Sequence, residues 1–223
     1  MYSIELSKIS LDEFEEILTS VELLPGRRIL LDHLPVIIER LKQNGTFHLE
    51  ALRKLLQNKK QYPALAESLS ICVDYLVVLN REIIGFVSKP VLLSELDVFS
   101  TAELEKLQQV GIKSTRDFFE QCLLKTARQE LSARLSLPAE QIIWALELSD
   151  LLRINGVGPI YARILREMGI KSVSDYESQD SVDILEKYQR VNEEKQYTKA
   201  RLGLKDVAYC KRFCKKLDRD IEW

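Results

Sequence analysis

The stretch VGIKSTRDF at 110–118 returns at 168–176 as MGIKSVSDY, and this repetition constrains the fold more than any other feature. Each copy carries Gly-Ile-Lys-Ser, an acid three residues after the serine (Asp117, Asp175), and then an aromatic residue. The glycine suits the left-handed residue that closes a helix, and the serine suits the N-cap of the next, with the acid near its positive end. One helix, a short corner and a second helix make a structural unit, and a repeated unit is the first thing to establish in any chain.

A more worn copy lies upstream. Leu41 and Gly45 correspond to Leu107 and Gly111, and to Leu165 and Gly169. The match of the first two copies extends past the corner, where LAESLSI (65–71) answers LSARLSL (131–137) and each precedes a longer helix, at 73–84 and 139–150. Pro138 suits the start of the second of these. Gly85 and Pro90 in GFVSKPVLLSEL mark a joint between units. Alternating strand patterns of useful length are absent, and Leu, Glu, Lys and Arg dominate over eight glycines and six prolines. The expected fold is all-α with no substantial sheet: three related tandem helix-hairpin-helix-like units, at 1–88, 89–150 and 151–223.

The third unit holds the segment of greatest chemical interest, RINGVGPIYARIL at 153–165. The pattern predicts that one helix ends near Ile154, the chain turns through Asn155-Gly156-Val157-Gly158, and Pro159 opens the next helix. Two glycines ahead of a helix N-terminus leave amide N–H groups free for an anion. The spacing of Leu151, Ile154, Gly156, Val157, Gly158, Ala162 and Leu165 resembles a helix-hairpin-helix motif, which implies sequence-independent contact with DNA backbone. Lys or Arg commonly follows the hairpin glycines in that motif; here Pro159 and Ile160 do, with Arg163 one turn on. Aligned on the corner, Gly156 and Gly158 become Val98 and Ser100 in the second unit, and Asp32 and Leu34 in the first. Ser100 with Glu103 reads as a capping box. A corner that only packs is the competing reading of all three.

Charge is uneven. The net charge is −2, yet from residue 151 onward 15 Lys and Arg meet 12 Asp and Glu, and before it 17 meet 22. Helices are expected near 182–199 and 204–219. In the latter Val207, Cys210, Cys214, Leu217 and Ile221 form an apolar seam, to be packed on the unit or against a partner helix. Lys211, Arg212 and Lys215 lie off that seam. The candidate nucleic-acid-binding residues are therefore Gly156, Val157, Gly158, Arg163, Lys211, Arg212 and Lys215. In LPGRRILL, Arg27 and Arg28 are placed to pair with acids such as Glu22.

From about residue 22 onward the chain resembles the bacterial proteins grouped as domain of unknown function 4332. The resemblance rests on ELLPGRRILLDHL (22–34), YLVVLNREIIGFVSKPVLLSEL (75–96), DLLRINGVGPIYARILREMGI (150–170) and RVNEEK (190–195). It implies tandem helix-hairpin-helix-like architecture and no established activity, so it carries over no catalytic residues.

Catalytic chemistry has little to work with. His33 and His48 sit in no cluster with acids and a nucleophile, and His48 occupies the N-cap place taken by Ser114 and Ser172. Cys72, Cys122, Cys210 and Cys214 show no Cys-x-x-Cys spacing and read as small apolar residues. The expectation is a non-enzyme without metal or cofactor. It binds DNA or RNA backbone through 156–158 and the basic C-terminal helices, or else serves as a protein-interaction or self-associating scaffold. No apolar run spans a membrane and MYSIELSKIS lacks the form of a signal peptide, so a cytoplasmic location is expected.

Overall fold

A computed structural model describes residues 1–21, 23 and 25–223. Among these residues there is no sheet, only the isolated bridges Ser10–His48 and Leu92–Ser114, and the architecture is all-α. No single described helix is long and apolar enough to cross a membrane. The chain divides into two compact units, one of Glu5–Val87 and one that joins Met1–Ile4 to Ser88–Trp223.

The Glu5–Val87 unit contains α1 (Leu11–Ser20), α2 (Leu34–Gln43), α3 (Leu49–Leu55), α4 (Tyr62–Leu69) and α5 (Val73–Gly85). Its core is built from Leu11, Phe14, Leu18, Leu41, Leu52 and Leu76, with Phe14 edge-on to Phe86 at 5.5 Å. The Tyr75 hydroxyl reaches the carbonyl of Leu30 inside that core at 2.9 Å. Arg27 donates to Glu82 at 2.8 Å; its expected pairing with Glu22 lies outside the described residues.

The larger unit contains α6 (Thr101–Gln109), α7 (Thr115–Gln121), α8 (Lys125–Leu135), α9 (Ala139–Leu151), α10 (Pro159–Glu167), α11 (Val173–Ser178), α12 (Ser181–Lys195) and α13 (Leu204–Cys214). At its centre is α9, buried from Ala145 to Leu151 and packed by α7, α8 and α10. A helix buried over two consecutive turns needs cover on several sides, and these neighbours supply it. Tyr2 belongs to this unit: its hydroxyl lies 2.7 Å from that of Thr115, and its ring meets Phe119 edge-on.

Three corners share one geometry. α2, α6 and α10 each end before a glycine at positive φ: Gly45 at 79°, Gly111 at 85° and Gly169 at 82°. In each the next amide returns to the carbonyl five residues back (Thr46 to Leu41, Ile112 to Leu107, Ile170 to Leu165), at 2.9 Å every time. Glycine is the residue that takes this closing conformation without strain. The following helix is then capped by a side chain three residues on. His48 Nδ1 accepts from Ala51 at 3.2 Å, Ser114 from Asp117 at 3.3 Å, and Ser172 from Asp175 at 3.0 Å. A second parallel joins α4 and α8, which both close on a left-handed serine, Ser70 at φ 52° and Ser136 at φ 51°.

Candidate functional site

The hairpin Asn155–Gly158 links the end of α9 to α10. Pro159 stands at the first helical position, and Gly158 is the N-cap in extended backbone, φ −97°. The cap has no side chain to offer and the first turn of α10 carries no acid. Val157 turns inward and its amide returns to Ile154 at 3.0 Å, which closes the loop. Ile160, where a cation would serve phosphate binding, is 52% exposed.

The two glycines do different work. Gly156 sits at φ +92°, and a Cβ placed there would lie 3.0 Å from Cys210 Sγ and 3.6 Å from the Tyr209 ring. Asn155 Nδ2 donates to the Tyr209 hydroxyl at 3.2 Å. The inner side of the hairpin is therefore covered by α13. Gly158 has nothing within 4 Å of the same position and is exposed.

Two of the four candidate cations are engaged outside the hairpin. Arg163 leans to the loop before α6, donating to Asp97 at 2.7 Å and to the Leu96 carbonyl at 3.3 Å. Lys211 donates to the Gln179 carbonyl just beyond α11. Arg212 is half-buried, and Lys215 is exposed at the C-cap of α13. Helix α13 touches the hairpin through Tyr209 and Cys210, while Lys211 and Arg163 each turn to a partner outside it. Of the apolar seam, Val207, Cys210, Cys214 and Leu217 are buried within the unit, so the seam packs inward.

Beneath the hairpin lies a group that sequence patterning does not single out. Arg153 is fully buried, forms an ion pair with Asp150 at 3.4 Å, stacks 4.2 Å from the Phe119 ring and donates to the Asp218 carbonyl at 2.6 Å. Its Nε and Nη1 lack hydrogen-bond partners. Burial raises the Asp150 carboxyl above its usual range and lowers the Arg153 guanidinium. The signal was the i,i+3 spacing of Asp150 and Arg153, indistinguishable in sequence from a surface pair.

Two thiols and two phenols around α13 are shifted upward. Burial pushes the Cys210 and Cys214 thiols up to about 12. Tyr161 and Tyr176, with hydroxyls 3.1 Å apart, are raised as well, mainly by burial. Among the described residues no three His, Cys, Asp or Glu side chains form a set that could hold a metal ion.

Set beside known proteins, a family model described as "Domain of unknown function (DUF4332)" matches residues 98–216. That span holds α6 to α13, with the second and third corners; the segments at 22–34 and 75–96 lie outside it. No curated protein and no solved structure matches the chain.

Proposed function

The chain belongs to the family of the domain of unknown function DUF4332, and we propose that it is a non-catalytic binding protein of three tandem helix-hairpin-helix-like units that holds nucleic-acid backbone at the 156–158 hairpin. One observation carries this reading: Gly156 lies against Cys210 and Tyr209, which sets the basic helix α13 beside a hairpin whose outer lip, Gly158, is open. The lip and the N-terminus of α10 offer amides and a positive dipole end, and α13 offers cations. Phosphate contacts of this kind bind without reading bases.

A second reading, a protein-interaction scaffold, is favoured by Ile160. An exposed branched apolar residue at the lip suits a protein surface better than a phosphate. Fluorescence anisotropy with a labelled duplex, run across salt concentrations, separates the two. Backbone binding predicts affinity that falls with salt, and loss of about tenfold or more on Gly158→Asp, which places a carboxylate at the anion site while capping α10. Undetectable binding at low salt, or binding indifferent to Gly158→Asp, overturns the first reading. A stable dimer by light scattering that Ile160→Lys dissolves would support the second.

A further inference from the structure

The turn from α3 to α4 has a composition unlike the rest of its unit. From Ala51 to Ala66 there is no acid, while Arg53, Lys54, Lys59 and Lys60 are all present and all exposed. Gln57 and Asn58 are exposed between them, and Gln61 directly after. Only Lys54 meets a carboxylate among the ion pairs described, Glu50 at 2.9 Å on the exposed face of α3. The net negative charge of residues 1–150 conceals this local excess.

The segment is also anchored. Leu52, Leu56 and Tyr62 anchor it in the core, and the Tyr62 hydroxyl donates to the Leu56 carbonyl at 2.9 Å. Asn58 accepts from the Lys60 amide at 3.2 Å and Gln61 N–H returns to the Asn58 carbonyl at 3.0 Å. Cations on an ordered turn lose less freedom on binding than cations on a loose tail.

We propose that Arg53, Lys54, Lys59 and Lys60 form a second phosphate-binding surface, on the Glu5–Val87 unit, whose partner is nucleic-acid backbone. Cations interleaved with side-chain amides are the donor set that phosphate and sugar oxygens take. A membrane surface is the poorer match, because peripheral binding needs apolar side chains to insert, and no large apolar residue from 51 to 66 is exposed. The proposal does not depend on the Gly158 lip: it concerns other residues in the other unit.

The test uses the full chain with a labelled duplex, titrated at several salt concentrations. Each phosphate contact adds about 0.9 to the log–log salt slope. Lys59→Glu with Lys60→Glu is expected to reduce the slope by about 2 and the low-salt affinity by about tenfold or more, with the circular dichroism unchanged. Lys59→Gln with Lys60→Gln repeats the comparison should the charge reversals disturb folding. A photoreactive duplex is expected to crosslink within 53–61. Unchanged slope and affinity in both pairs, or crosslinks confined to 155–163 and 205–216, overturn the proposal. Loss confined to the lysine variants, with Gly158→Asp binding as the parent does, sustains it and sinks the hairpin reading instead. Phosphatidylserine vesicles that bind in a Lys59/Lys60-dependent way, where duplex does not, also overturn it.

Discussion

Asp150 accepts the backbone N–H of Val173 at 2.7 Å from within the core. At the other two corners the matching amide finds a main-chain carbonyl: Leu49 donates to Ile9 at 2.9 Å and Thr115 to Val91 at 2.8 Å. Those acceptors come from the extended segments that form the two isolated bridges. In the third corner a buried side chain takes over the role of a neighbouring segment, and Arg153 supplies its counter-charge. Removing one member of such a pair leaves the other charge buried, so Asp150→Ala is expected to destabilise the protein by about 3–5 kcal/mol. Urea unfolding measures this, and a change under about 1 kcal/mol would show that the pair is not what holds the corner.

The hairpin glycines should separate in stability. Gly156→Ala forces a Cβ into a left-handed residue and against Cys210 Sγ at 3.0 Å, a cost of about 1–2 kcal/mol from the backbone alone. Gly158→Ala meets neither obstacle and is expected to change stability by less than about 1 kcal/mol. Thermal unfolding of the two variants side by side checks the contrast. Equal losses would refute it.

Arg163 is engaged by Asp97, whose side chain is 73% exposed. An exposed pair contributes little to stability, about 0–1 kcal/mol. Asp97→Asn keeps a residue tolerant of the left-handed conformation found there, φ 53°, and removes the charge that holds the guanidinium. Duplex affinity is expected to rise several-fold at low salt. No rise would remove Arg163 from the binding surface.

Acid should weaken the second corner. Burial alone would raise the Asp117 carboxyl, but hydrogen bonds from the Ser114 hydroxyl and from the amides of Lys113 and Ser114 outweigh it and hold the group below its usual 3.8. A depressed folded pKa contributes stability above 3.8 that is lost as pH falls through the folded value. Asp117→Asn is therefore expected to flatten the fall in melting temperature below about pH 4, as read by scanning calorimetry from pH 2 to 6. An identical acid limb in the variant would argue that other carboxylates dominate.

The corners were legible because their determinants are local. Gly-x-x-Ser fixes a closing glycine and a cap within four residues, and His48 could be placed as a cap simply because it stands where Ser114 and Ser172 stand. The first hairpin was harder: His33, at φ 55°, is the N-cap of α2, one residue before the Leu34 that alignment on the corner predicts. What escaped reading depends on distance along the chain. Asp97 lies 66 residues before Arg163, and nothing local tells that the two meet. Asp150 and Arg153 look like any surface pair until α7 and the 218 carbonyl close over them. The Arg53–Lys60 excess vanished into an average taken over a longer, acidic stretch.

Tyr2 has a consequence for the growing chain. Its partners, Thr115 and Phe119, are synthesised more than a hundred residues after it, and the hydroxyl contact spans 113 positions. Between them lies Glu5–Val87, contiguous in sequence and compact by itself. During synthesis that intervening unit has all its residues before Tyr2 has any of its own neighbours. Tyr2 is thus made before everything in 88–223, yet waits for Thr115 and Phe119 of that later stretch to cover it. In this protein the order of manufacture and the order of enclosure run in opposite directions.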